Sequence, residues 1–300
     1  SYIFAGILLY IIAGMGIFDA INHSIAAVST GGFSTKAESI GYYNSTAIEL
    51  ITIILMIAGT INFAAHALLW KGKIKEFFSI GEFNMMIFML SFFIPLILYF
   101  TTFNMFSDLS KSVRVAFFEI VSGISTTGFS TVSYNNWNDF GIFILILMMI
   151  VGGGTGSTAG GIKQYRVYVL LKSLWWNIKS YILPRNIVKE YSVKRPDGRF
   201  YVSDKHIIEI CSVATVYIIS FLIFVIILMA HGYGLKESMF EIASCLSTVG
   251  LSMGITSPEA PNMVLVTEII AMFLGRLEFI VIFYSILKII KDFKFITEKN

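Results

Sequence analysis

Hydrophobic residues fall in long blocks separated by short polar and glycine-rich breaks, a pattern unlike the strict alternation of a half-buried strand. The blocks run from Ala47 to Trp70, Phe83 to Thr102, Asn138 to Val151, Ile207 to Ala230 and Met263 to Ile290, and a shorter one, Tyr2 to Met15, opens the chain. Crossing about 30 Å of hydrocarbon takes roughly 20 residues at helical rise, so the blocks predict membrane helices. The opening block lacks the basic start and small-residue cleavage site of a signal peptide. It reads as the second half of a truncated helix.

Aligning the breaks exposes an internal repeat. Three segments match without gaps: His23 to Ser34 (HSIAAVSTGGFS), Glu119 to Ser130 (EIVSGISTTGFS) and Glu241 to Ser252 (EIASCLSTVGLS). Each follows a short amphipathic stretch and precedes a hydrophobic helix with an equivalent glycine, Gly59, Gly152 or Gly275. The unit is helix, short helix, Ser-Thr-x-Gly loop, helix. It divides the chain into repeats at 1–75, 76–183 and 205–300, with a basic linker over 184–204. Both helices of a unit have their far ends on one side, so the short helix and loop dip in from the other and return. Non-helical backbone at membrane depth is tolerated only against protein or a water-filled cavity, because lipid cannot satisfy free N–H and C=O groups. The prediction is an all-α membrane protein whose helix, pore-loop, helix units are arranged pseudo-symmetrically around one ion pore.

A ring of main-chain carbonyls can replace the hydration shell of a monovalent cation. The candidate filter residues are Ser29, Thr30, Gly31 and Gly32; Ser125, Thr126, Thr127 and Gly128; and Ser247, Thr248, Val249 and Gly250. Gly32, Gly128 and Gly250 permit backbone angles closed to other residues. Thr30, Thr126 and Thr248 can add a hydroxyl oxygen below the carbonyls. A plain turn or helix cap would also explain one Ser-Thr-x-Gly, though less readily three in the same helical context. His23, Glu119 and Glu241 share one position on the short helix, where they either brace the loop or sit at an exposed mouth.

Gly152, Gly153, Gly154, Gly156, Gly160 and Gly161 interrupt a hydrophobic stretch with no bulky side chain among them. A phosphate-binding loop is the rival reading, but its Gly-Lys-Ser/Thr ending and preceding strand are missing. A broken helix lying across the pore below the filter is predicted instead, with a passive kink as the plainer alternative. Arg276 falls midway along the last hydrophobic block, where burial in lipid would cost about 2.5–3.5 kcal/mol. It should therefore face the pore, where it repels cations, or pair with Glu119, Glu241 or Glu268. Glu278 lies about 200° round the helix and is a poor partner.

Composition agrees with a membrane location. Of the 300 residues, 56% are hydrophobic and 14% charged, against about 25% charged in soluble domains. The net charge is only +3, but Lys71, Lys73 and Lys75, ten basic residues between Lys163 and Lys205, and Lys288, Lys291, Lys294 and Lys299 cluster in three stretches. By the positive-inside rule these are cytoplasmic. A nucleic-acid patch is disfavoured because the basic linker joins two membrane helices. Cys211 and Cys245 have no metal-ligand spacing and predict packing residues. His66, Trp70, Trp175 and Trp176 suit the membrane interface. No Ser/His/Asp, Cys/His or paired-carboxylate arrangement suggests an enzyme or a cofactor.

Ala27 to Thr35, Gly123 to Thr131 and Leu246 to Ser252, with Gly152 to Lys163 and Leu274 to Glu278, resemble the Trk/Ktr/HKT superfamily of potassium transporters, nearer the Trk branch. The resemblance covers nearly the whole chain and implies four repeats around one pore, of which the second, third and fourth are present. On that reading the chain is a fragment lacking the first. The resemblance also implies potassium as the transported ligand, Gly32, Gly128 and Gly250 as filter glycines, and the loop from Gly152 to Gly161 acting with Arg276 as an intramembrane gate. It further implies a homodimer in the cell membrane and a cytoplasmic nucleotide-binding regulatory subunit, for which Lys163 to Lys205 is a candidate docking surface; contact with anionic lipid explains the same charges. The alternatives are a sodium-permeable or cation-coupled carrier of the same fold, and a non-conducting scaffold.

Overall fold

A computed structural model describes residues 1–182, 191–277 and 279–297. Arg185, Lys189, Glu278 and Lys299 lie outside the described residues, as do parts of the basic linker and the C-terminus.

The first repeat is α1 (Tyr2–Ile12), the short re-entrant helix α2 (Ile17–Val28), a loop with one 3-10 turn (Ser39–Tyr43), and α3 (Thr46–Thr60). The second is α6 (Gly81–Ile97), α8 (Leu109–Ser125) and α9 (Asp139–Val151); the third is α11 (Asp204–Ala230), α12 (Leu235–Leu246) and α13 (Asn262–Leu277). Between and after these stand α4 (Phe63–Trp70), α5 (Ile74–Phe77), α7 (Phe103–Met105), α10 (Gln164–Ile182) and α14 (Phe279–Thr297). Asp108, Asn138 and Ser203 cap α8, α9 and α11 by accepting amides of the first turn, which fixes where each helix starts.

Each re-entrant helix packs on the inner helix of its own repeat, and the inner helix of one repeat packs on the re-entrant helix of the next: α3 on α8, then α9 on α12. One apolar core lies around α1, α2, α3 and α8, and a larger one joins α6, α8, α9, α11, α12 and α13. Large apolar side chains on the outer helices, among them Phe4, Ile12, Ile223 and Ile226, are exposed, as a lipid-facing surface requires.

Three expectations change. The block from Ala47 to Trp70 is two helices meeting at 105°, broken at Ile61 and Asn62, where the Asn62 side chain accepts the Ala64 amide and starts α4. Arg276 lies on α13, in a stretch described as helix on both sides of residue 278. Among the described residues, two helices are long and apolar enough to cross a membrane, Gly81–Met105 and Asp204–Ala230, or three counting the bent pair. The first of these passes Pro95 and then a π-helical stretch, Leu98–Thr102, since proline removes an amide from the helical ladder. Cys211 is exposed and not a packing residue, whereas Cys245 is part of the core's edge. The basic linker also contains a hairpin, β1 (Ser192–Arg195) with β2 (Gly198–Tyr201), paired antiparallel from Arg195↔Gly198 outward.

Candidate functional site

The three Ser-Thr-x-Gly loops end their re-entrant helices in the same way. In each, the Thr amide reaches back three residues and the next amide five: Thr30 to Ala27 and Gly31 to Ala26, Thr126 to Gly123 and Thr127 to Ser122, Thr248 to Cys245 and Val249 to Ser244, at 2.8–3.2 Å. This is the Schellman pattern, which normally places glycine in the left-handed position. Here threonine occupies it, with φ of 50°, 53° and 53° at Thr30, Thr126 and Thr248. Two residues on, Gly32, Gly128 and Gly250 are again at positive φ, 64°, 88° and 96°. Left-handed backbone at every second residue recurs in all three repeats.

The loops also meet one another in a fixed sense. A Cβ on Gly32 would strike the Thr127 carbonyl, and one on Gly128 would strike the Val249 carbonyl. The same step thus carries loop one onto loop two and loop two onto loop three. A Cβ on Gly250 would meet nothing within 4 Å. A cavity of about 660 Å³ lies beside it, reached by Thr30 and Gly31 on one side and by Thr248, Glu268 and Arg276 on the other.

His23, Glu119 and Glu241 are all buried and hold the chain that leaves each loop. His23 Nε2 lies 2.9 Å from the Ser34 hydroxyl. Glu119 accepts the Thr131 amide at 2.9 Å, its hydroxyl at 2.7 Å, and the Tyr134 hydroxyl. Glu241 accepts the Ser252 hydroxyl at 2.7 Å, the Met253 amide at 3.0 Å, and both the amide and hydroxyl of Thr256. Near the start of α2, the Thr35 hydroxyl and then Lys36 hold the Asp19 carboxyl below its ordinary range. The serine hydroxyls turn into the protein, Ser125 to Thr127 at 2.7 Å and Ser247 to Tyr217 at 2.6 Å.

The glycine-rich segment runs beneath all three loops. The Gly160 amide donates to the Thr126 hydroxyl at 2.6 Å. The Thr158 hydroxyl donates toward the Val28 and Gly59 carbonyls at 3.2 and 3.1 Å. A Cβ on Gly160 would strike the Ser247 carbonyl and come within 2.6 Å of the Thr248 hydroxyl. Gly152, Gly156 and Gly161 are at positive φ, while Gly153 and Gly154 are buried against Ala159 and the Thr60 carbonyl. Arg276 donates to the Thr158 carbonyl at 3.3 Å; among the described residues this, and not Glu119, Glu241 or Glu268, is its polar partner. Sequence reasoning missed Thr158, and also Asn62 and Glu82, which hold the far side of the segment through Thr155. Asn62 follows the glycine of the first inner helix by three residues, but the spacing carries no sign that the helix breaks there.

A family profile described as cation transport protein, TrkH, matches residues 10–294. An uncharacterized cation transporter of Methanocaldococcus jannaschii is 31% identical over 281 residues, 93% of this chain and 56% of that protein. The Trk system potassium uptake protein TrkH of Escherichia coli strain K12 is 31% identical over 273 residues, 89% of this chain and 55% of the other. The crystal structure of the potassium transporter TrkH from Vibrio parahaemolyticus matches with a TM-score of 0.80 at 26% identity, covering 93% of this chain and 60% of that one. The chain spans about half the length of the curated relatives it matches.

Proposed function

The chain belongs to the TrkH family of cation transport proteins, and from that premise we propose that it supplies filter loops and a gate to a pore that takes up potassium across the cell membrane. The observation that carries this reading is the threefold recurrence of left-handed Thr followed by positive-φ Gly, with Gly32 and Gly128 each seated against the next loop's carbonyl. Alternating handedness can turn successive carbonyl oxygens to one side of the chain, the arrangement that replaces an ion's water. His23, Glu119 and Glu241 are then positioning residues that set the height of the loop. The segment from Gly152 to Gly161 is the gate: with Gly160 bonded to Thr126 and Thr158 to Arg276, it occupies the path below the filter and places a positive charge beside it.

In this reading the basic stretches are cytoplasmic, and the helix and hairpin between Lys163 and Lys205 receive a nucleotide-binding regulatory subunit. Removing the hairpin is expected to abolish the regulator's effect on flux while basal flux persists; unchanged regulation would reject the docking surface. A family of transporters gives no reason to expect enzymatic turnover.

Rubidium uptake by potassium-starved cells carrying the full-length gene tests conduction directly. Wild type is expected to restore uptake. Gly128→Ser is expected to lower the preference for potassium over sodium by about tenfold or more, roughly 1.4 kcal/mol in relative barrier. Uptake with unaltered selectivity in that variant would count against a carbonyl filter.

A further inference from the structure

In the second and third repeats one carboxylate does two tasks. Glu119 accepts the amide and the hydroxyl of Thr131, and Glu241 accepts the Ser252 hydroxyl and the Met253 amide. In register with these residues the first repeat has Ser34 and Thr35, but His23 replaces the glutamate. His23 Nδ1 lies 2.7 Å from the Asp19 carbonyl oxygen, which can only accept, so this nitrogen carries the proton. In the neutral ring Nε2 is then left with one lone pair, which takes the Ser34 hydroxyl at 2.9 Å. A carboxylate offers about four such sites. The imidazole has nothing left for Thr35.

The acceptor for Thr35 stands one helical turn earlier. Asp19 precedes His23 by four residues on α2, which brings both side chains to one face of the helix. Its Oδ1 accepts the Thr35 hydroxyl at 2.6 Å, and its Oδ2 lies 3.2 Å from Lys36 Nζ. Position 38 differs as well. Its counterparts Tyr134 and Thr256 donate hydroxyls to Glu119 and Glu241, whereas Glu38 is exposed and, as a carboxylate, has no hydrogen to give. The chain that Asp19 holds leads directly to the neighbouring repeat. The Gly41 amide donates to the Ser130 carbonyl at 3.1 Å, the Ser39 hydroxyl accepts the Ser130 amide at 3.3 Å, and a Cβ on Gly41 would stand 2.6 Å from the Thr131 carbonyl oxygen. Thr35 thus lies between Gly32, which meets the Thr127 carbonyl, and Gly41, which meets Thr131.

We infer that Asp19 is a positioning residue of the first filter loop, dividing with His23 the work that Glu119 and Glu241 each do alone. The inference rests on the filter reading above and deepens it. The ion pair with Lys36, between partly exposed groups, contributes little by itself. What Asp19 fixes is the place of Thr35, three residues beyond Gly32, and through it the exit of the loop.

Rubidium and sodium uptake, measured side by side in potassium-starved cells carrying the full-length gene, test this. Thr35→Val keeps the shape of the side chain and removes only the hydroxyl. It and Asp19→Ala are each expected to lower the rubidium-to-sodium ratio severalfold, and the double variant to lower it no further, because both changes remove one contact. Thr35→Ser, which keeps the hydroxyl, and Lys36→Met are expected to retain the wild-type ratio. An unchanged ratio in Thr35→Val, additive losses in the double variant, or an equal loss in Lys36→Met would overturn the inference. Thr35 is exposed, so its variants test the contact even where Asp19→Ala fails to fold. Absence of uptake by wild type would remove the conduction reading and this inference with it, whereas wild-type uptake with an indifferent Thr35→Val removes the inference alone.

Discussion

Thr30, Thr126 and Thr248 take a backbone conformation that costs an L-residue roughly 1–2 kcal/mol, at matching positions in three repeats. Strain kept at equivalent positions marks a constraint on the loop beyond ending a helix. The carboxylates of Glu119 and Glu241 offset it by tying down the chain on the exit side of the loop. Glu241→Gln exchanges an acceptor-only group for one with a single acceptor and a donor that faces the Met253 amide or the Ser252 hydroxyl. It is expected to lower stability by about 2 kcal/mol, read as a lower Tm in detergent, and to reduce potassium selectivity in flux assays. These residues were legible because the motif repeats. Whether they brace the loop or sit at an exposed mouth was not: Thr131, Tyr134 and Thr256 come into reach only after the exit chain folds back over the helix.

At the scale of elements, two of the inner helices, α3 and α9, end early. The blocks read as continuous because a broken helix keeps the composition of an unbroken one, and only the glycine-rich break at Gly152 is visible as composition. The break at Asn62 depends on a cap and on contacts to Thr155 and Gly156, more than ninety residues away. The closeness of the segment from Gly152 to Gly161 to the Ser-Thr-x-Gly loops, and its proposed part as a gate, are testable by volume. Gly160→Ala places a methyl group against the Ser247 carbonyl, and a backbone oxygen cannot swing aside as a flexible side chain would. The segment is expected to be pushed off the loops, raising rubidium uptake severalfold over wild type without the regulator. Unchanged uptake in a well-expressed variant would show that the segment does not limit flux.

For the whole molecule, the repeats are held in sequence by contacts between neighbours. Arg114 on α8 and Glu49 on α3 form a two-pronged ion pair at 2.8 and 2.5 Å, and Glu49 is almost wholly buried. Arg114→Ala leaves that carboxylate without its cation and is expected to cost about 3 kcal/mol. Thermal unfolding would register the loss. The double variant Glu49→Gln with Arg114→Met should recover most of it, because a buried pair is costly chiefly when only one partner is removed. Failure of the double variant to recover would mean that the pair holds the repeats together by attraction.

The amino-acid sequence determined the helical membrane character, the repeat unit and the positions of the glycines in its three loops, because partition into lipid and left-handed backbone are written in composition and local motif. Tertiary structure alone decided that Gly32 meets Thr127, that Gly128 meets Val249, that Gly160 reaches Thr126, and that Glu82 and Thr60 face one cavity. Such pairs join residues 22 to 121 positions apart. Their meeting depends on how whole helices pack, and no local pattern records it.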